Sequence, residues 1–207
     1  MANDRESYAQ IAALHTNAIS QGFLATLGSD FLAVMYEAID KSCDAVLITH
    51  SCNGRVVGFV AGASSLMSIY LQMLKRPVKL LRSLAPSLIQ PQKVWKMLEV
   101  LIRGTKLKSK VGSQPSTKKL PDFELLSIAV CPDQRRSGVA RRLYNSLTHY
   151  AVNNQISEFK ISVGAELEQA HKFYLEMGAL PVTTEVLHSG PPSVIYVQRT
   201  TITAKGD

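Results

Sequence analysis

The sequence predicts an α+β domain: a mixed sheet flanked by helices, with a helical insertion between two strands. Three observations predict it. From Asp122 onward, strand-like and helix-like segments alternate regularly. Residues 5–62 read as two helices and then a β-hairpin. Between these parts, about 66–120 is an apolar and basic stretch unlike either neighbour.

The elements follow in order. In RESYAQIAALHTNAI, residues 5–19, Tyr8, Ile11, Leu14 and Ile19 recur at helical spacing. SQGF ends that helix, and GSDFLAVMYEAID starts another, with Ser29 or Asp30 as its N-cap. AVLITHS and RVVGFVAGAS read as paired strands. Cys52-Asn53-Gly54 joins them, because Asn-Gly tolerates the positive φ of a tight hairpin turn. LMSIYLQMLKRPVKLLRSLA and PQKVWKMLEVLIRGTK read as helices interrupted at Pro77, Pro86 and Pro91, and KSKVGSQPSTKKLP as a flexible linker. FELLSIAV is then a strand, 137–153 a helix, SEFKISVGA a strand, and EQAHKFYLEMG a helix closed by Gly178. PVTTEVLH and SVIYVQRT are two more strands, joined across Ser189–Pro192.

With 207 residues and 46% apolar content, the chain suits a single domain, 1–207, that buries a full core. Three cysteines, Cys43, Cys52 and Cys131, show no metal spacing, and an odd count argues against a disulfide framework. This fits a reducing cytoplasm. MANDRESYAQ lacks the apolar core of a secretory signal, and no run of about 18 apolar residues occurs. The net charge of +7 is unevenly placed. Lys75–Lys119 holds twelve Lys/Arg against one acid, Glu99, leaving eleven basic and fifteen acidic residues elsewhere. The protein is therefore not basic throughout; it carries one basic segment able to attract an anionic partner.

The most informative stretch is CPDQRRSGVARRL, Cys131–Leu143. It leaves a strand and starts a helix at once. Gly138 has no Cβ, so a ligand can approach the backbone closely. The helix start offers unpaired N–H groups and the positive end of the dipole. With Arg135 and Arg136 these make an anion site suited to a pyrophosphate. No Gly-Lys-Ser/Thr is present, so it is not a P-loop, and three spaced glycines are lacking for a dinucleotide fingerprint.

Arg135-Arg136-Ser137-Gly138-Val139-Ala140, preceded by Val130-Cys131-Pro132, resembles the acetyl-CoA-binding motif of the GNAT superfamily of N-acetyltransferases. Ala170, Phe173, Tyr174 and Gly178 are similar to that family's second conserved stretch, with Ala179 where a Phe is usual. The resemblance covers 123–200 well, 5–62 weakly and 66–120 not at all. It implies a GNAT-like fold and an acetyl-CoA-dependent N-acetyltransferase working by direct transfer in a ternary complex. It also implies that the backbone of Arg136–Arg141 (Arg136, Ser137, Gly138, Val139, Ala140, Arg141) holds the pyrophosphate. Ile128, Ala129 and Val130 would receive the pantetheine arm, and the N–H of Ile128 or Val130 would polarise the thioester carbonyl. Tyr174 would be the general acid, since a phenol with a pKa of about 10 carries a proton at neutral pH; a packed core tyrosine is the other reading. Glu124, placed like the glutamate of histone-type members, would be the base, and a water chain is the alternative. Strand alternation would put Glu124, Leu126 and Ile128 on one face. Glu166 and Glu168 rank second, and His171 reads as a helix-surface residue. Leu167 stands where the family often has Asn, and the family's first strand would have to fit before Tyr8. A non-catalytic acyl-CoA-binding or regulatory protein of the same fold is the rival reading.

The acceptor is an amine of open identity: a small amine, an amino sugar or a protein amine. For the basic insertion three readings stand: a helical cap or homodimer contact, a peripheral membrane contact through 66–110, or recognition of an anionic acceptor. Aromatics for base stacking are sparse there, so no nucleic acid is expected. The expected location is the cytoplasm, with the inner membrane surface as a variant.

Overall fold

A computed structural model gives the fold and describes residues 5–19, 27–84, 119–186 and 192–200. The sheet has six strands: β1 (Ala45–Cys52), β2 (Arg55–Ala63), β3 (Glu124–Val130), β4 (Glu158–Gly164), β5 (Leu180–Val186) and β6 (Pro192–Arg199). Their order is β1-β2-β3-β4-β6-β5. All neighbours are antiparallel except β3 and β4, which are parallel. Helices α1 (Arg5–Ala18) and α2 (Ser29–Asp40) cover one face with Ile11, Leu32, Tyr36 and Phe59 in its core. Helices α5 (Val139–Asn153) and α6 (Glu168–Glu176) cover the other, around Tyr144, Leu147, Phe159 and Ile161. The α+β reading with helices on both faces is borne out.

Local chemistry explains the element ends. Asn53 and Gly54 have φ of 50° and 77°, the paired positive values of a tight hairpin turn. Gly178, φ 86°, follows α6; its N–H donates to Leu175 O, and Ala179 N–H donates to Tyr174 O, both at 3.0 Å. That bond pair is a Schellman closure. Gly58 lies beneath α5: a Cβ there would sit 3.0 Å from Leu143 and Val139 side chains. Glycine thus lets the helix lie close to β2.

Three expectations need correction. The N-cap of α2 is Gly28, not Ser29 or Asp30. Its φ of 92° and ψ of 161° suit glycine, and its carbonyl accepts the Leu32 N–H at 3.1 Å. Helix α5 starts at Val139 rather than at 137, because Gly138 is left-handed. Finally, Glu124, Leu126 and Ile128 do not share a face. A bulge opposite Ala61/Gly62 leaves Leu126 against the α1–α2 core, while Ile128 packs on the α5–α6 side. The segment before α1, where the family's first strand would have to fit if it is not absent or very short, lies outside the described residues.

The insertion begins with α3 (Leu66–Leu74) and α4 (Pro77–Leu84), and Pro77 opens α4, where a missing N–H costs nothing. Glu37 of α2 fastens them: its carboxylate meets Lys41 and Arg76 at 2.5 Å and Lys79 at 3.2 Å. Burial alone would raise the Glu37 carboxyl, but the hydrogen bonds from Lys41 and Lys79 and their charges hold it below its usual value. PQKVWKMLEVLIRGTK, most of the linker and the 187–191 connection lie outside the described residues. No helix among those described is long and apolar enough to cross a membrane.

Candidate active site

The site begins where β3 and β4 part. These strands pair at Glu124↔Lys160 and Leu125↔Ile161 and then separate, leaving a gap toward their C-terminal ends. Beyond the bulge, Cys131 N–H donates to Val57 O at 2.8 Å, so odd positions of β3 turn their backbone toward β2. By alternation the N–H groups of Ile128 and Val130 face the gap, while Ala129 is committed to β2. Ser127, Ile128 and Val130 are half-buried there.

At the mouth of the gap, Pro132–Gln134 form one 3-10 turn, and Arg136 and Gly138 both have positive φ, 61° and 79°. The first helical bond of α5 is Arg142 N–H to Gly138 O at 3.0 Å. The N–H groups of Val139 to Arg141, in the first turn, therefore have no acceptor within the helix, and those of Arg136 to Gly138 lie just ahead of them at the same N-terminus. Ser137 Oγ donates to Gln134 O at 2.6 Å and Arg142 Nη1 to Ser137 O at 3.3 Å, which brace the turn from within. The exposed Arg135 and Arg136 flank it. The arrangement can hold a diphosphate by amides, dipole and guanidinium groups together.

Tyr174 faces inward from α6, 6% exposed, among the rings of Tyr144, Phe173 and Tyr196. Its hydroxyl makes no hydrogen bond among the described residues. Burial pushes the phenol above its ordinary pKa, so it holds its proton at neutral pH. Glu124 lies at the paired end of the gap, accepts from Ser162 Oγ at 3.0 Å and meets Lys160 Nζ at 3.3 Å. The structure thus places Tyr174 and Glu124 on opposite faces of the sheet. Leu167 is the N-cap of α6 without a side-chain cap, and Glu168 is in the first turn.

Sequence reasoning missed two polar groups. His171 is not simply on the surface: Nε2–H donates to Gly164 O at 3.0 Å, and Nδ1 pairs with Tyr196 OH at 2.8 Å. The second is a buried chain in which His15 Nδ1 meets Tyr36 OH at 2.6 Å and Tyr36 OH meets Ser127 Oγ at 3.1 Å. A signal for it existed, since His15 shares the apolar stripe of Tyr8, Ile11 and Ala12 on α1.

Residues 96–179 match the model of the Acetyltransferase (GNAT) family. No curated protein matches by sequence. Similar solved structures include the ribosomal-protein-S18-alanine N-acetyltransferase from Escherichia coli, with 12% identity, TM-score 0.58, and coverage of 100% of this chain and 96% of that one. An N-acetyltransferase from Staphylococcus aureus Mu50 has 15% identity, TM-score 0.59 and 97% coverage of both. An aminoglycoside 6'-N-acetyltransferase complexed with coenzyme A has 12% identity, TM-score 0.58, and coverage of 99% and 96%. At such identities the likeness is one of fold; together with the family match over residues 96–179 it bears out the resemblance to GNAT acetyltransferases.

Proposed function

We propose that the protein is an N-acetyltransferase that moves acetyl from acetyl-CoA to an amine by direct transfer in a ternary complex. The observation that carries this is the gap between β3 and β4 ending at the glycine-capped helix N-terminus of Arg136–Arg141. The pyrophosphate is held by the amides of that N-terminus with Arg135 and Arg136, and the pantetheine arm by the backbone of Ile128 and Val130. One of those two N–H groups polarises the thioester carbonyl. Tyr174, protonated in its ring cluster, gives its proton to the leaving thiolate. Glu124 takes the proton of the amine once the acceptor displaces its Lys160 contact, directly or through water. No covalent acetyl-cysteine is needed: Cys131 is 5% exposed, with Sγ toward Val56 O, and Cys43 and Cys52 bound the outer strand β1.

Calorimetry with acetyl-CoA, followed by thiol release over a panel of amines, tests the reading. Saturable binding and amine-dependent thiol release are expected. Binding without release on any amine supports the non-catalytic rival. A second reading concerns location. Leu66, Met67, Leu71, Leu74 and Val78 are 40–67% exposed along α3 and α4, beside Lys75, Arg76 and Lys79. That pairing of apolar and basic surface favours a peripheral contact with an anionic membrane from the cytoplasmic side.

A further inference from the structure

His15 is 3% exposed, and its Nε2 has no hydrogen-bond partner. Its ring stacks on Phe59 at 6.4 Å and joins Tyr36, itself fully buried, by the short Nδ1···OH contact. An imidazole with an orphaned nitrogen in an apolar core weakens the fold unless it serves another purpose. The chain it starts ends on Ser127, in the one part of β3 that has left β4.

A proton relay is the first candidate role, and magnitude decides against it. Burial lowers the His15 pKa to about 4, so the ring stays neutral at neutral pH and is a poor store for a proton. The direction of the hydrogen bonds is then the useful property. If Tyr36 donated to His15 Nδ1, the ring proton would sit on Nε2 as an orphaned N–H, the rarer and costlier defect. The opposite tautomer leaves only a lone pair at Nε2. Nδ1–H then donates to Tyr36 OH, Tyr36 donates to Ser127 Oγ, and the Ser127 hydroxyl proton is free to point elsewhere.

Resting on the acetyl-CoA reading above, we propose that Ser127 donates a hydrogen bond to the carbonyl oxygen of the bound acetyl group. Tyr36 and His15 are positioning residues that fix the direction of that donor. The serine supplements the backbone N–H of Ile128 or Val130, and the bond strengthens as the carbonyl becomes an oxyanion.

The test needs no acceptor. Titrate wild type, Ser127→Ala, Ser127→Thr and Tyr36→Phe with acetyl-CoA and with CoA, and record the carbonyl stretch of bound 13C-acetyl-CoA. Ser127→Ala should weaken acetyl-CoA about threefold to tenfold and leave CoA unchanged. Its carbonyl band should move up toward the free value. Ser127→Thr should retain the hydroxyl and the wild-type band. Tyr36→Phe should shift the band part-way, which a purely structural role would not do. Equal weakening of both ligands by Ser127→Ala, or an unmoved band, overturns the inference alone. Failure of wild type to bind acetyl-CoA overturns the functional reading and the inference with it.

Discussion

At the scale of single residues, two buried aromatic groups carry opposite instructions. Tyr174 keeps its proton because burial penalises the phenolate, as the acid role proposed for it requires. Tyr174→Phe keeps the ring packing against Tyr144 and Tyr196 and removes only the donor. Its kcat should fall about 10²–10⁴-fold with an unchanged melting temperature, and wild-type turnover would remove Tyr174 from the mechanism. His15 is the reverse case: burial keeps it uncharged, with a pKa of about 4 against about 6.5 unfolded. Below pH 6.5 the unfolded chain takes up a proton that the folded chain refuses, so stability falls as pH drops and levels off below about 4. The loss reaches about 3 kcal/mol. His15→Gln keeps a partner for Tyr36 but cannot titrate, so its melting temperature should vary less between pH 6.5 and 4 than that of wild type. Neither role was legible in the sequence as an environment. Tyr174 was found through its motif, whereas the place of His15 depends on Ser127, far along the chain.

Elements were legible where local chemistry alone decides them. The Asn53-Gly54 hairpin, the Gly178 stop and the break at Pro77 follow from φ preferences that no distant contact alters. The β3 bulge was not legible, since it comes from how β2 and β3 register around Gly62, and it undid the face assignment of Leu126 and Ile128. The turn at 131–138 was legible as an abrupt strand-to-helix connection, and the structure sharpens why glycine stands in it. A Cβ at Gly138 would make only ordinary contact, 3.4 Å from Arg142 Nη1, so glycine is needed there for its φ of 79° rather than for room. Gly138→Val should therefore distort the amides and weaken acetyl-CoA binding at least a hundredfold by calorimetry. Arg135→Ala removes one exposed charge and should cost about tenfold or less. A larger loss for Arg135→Ala than for Gly138→Val would mean that side-chain charge, not backbone, does the holding. On α2, Glu37→Gln should loosen α3 and α4 by about 1 kcal/mol, read as faster amide exchange confined to those helices.

At the scale of the whole molecule, the sheet is two three-stranded halves, β1-β2-β3 and β4-β6-β5, joined in register at only two residue pairs. Motif order made both halves legible, because each motif sits on a strand–turn–helix unit. The width of the gap between them was not, since it depends on where two parallel strands stop pairing, and neither strand's composition changes there. The same geometry makes a global prediction. A ligand lodged between the halves and capped by the Arg136–Arg141 amides bridges parts of the chain that otherwise share few ladder bonds. It binds the folded state alone, so its free energy adds to stability. At about 100 times its Kd, acetyl-CoA should contribute about 2.7 kcal/mol and raise the melting temperature by roughly 5–10 °C. Protection against amide exchange should rise at Ile128, Val130 and the 136–141 turn, and much less in the β1–β2 hairpin beyond Cys52. Stabilisation of equal size with protection spread over α3 and α4 instead would place the ligand on the basic insertion, and the gap would then be a feature of the fold without a role in binding.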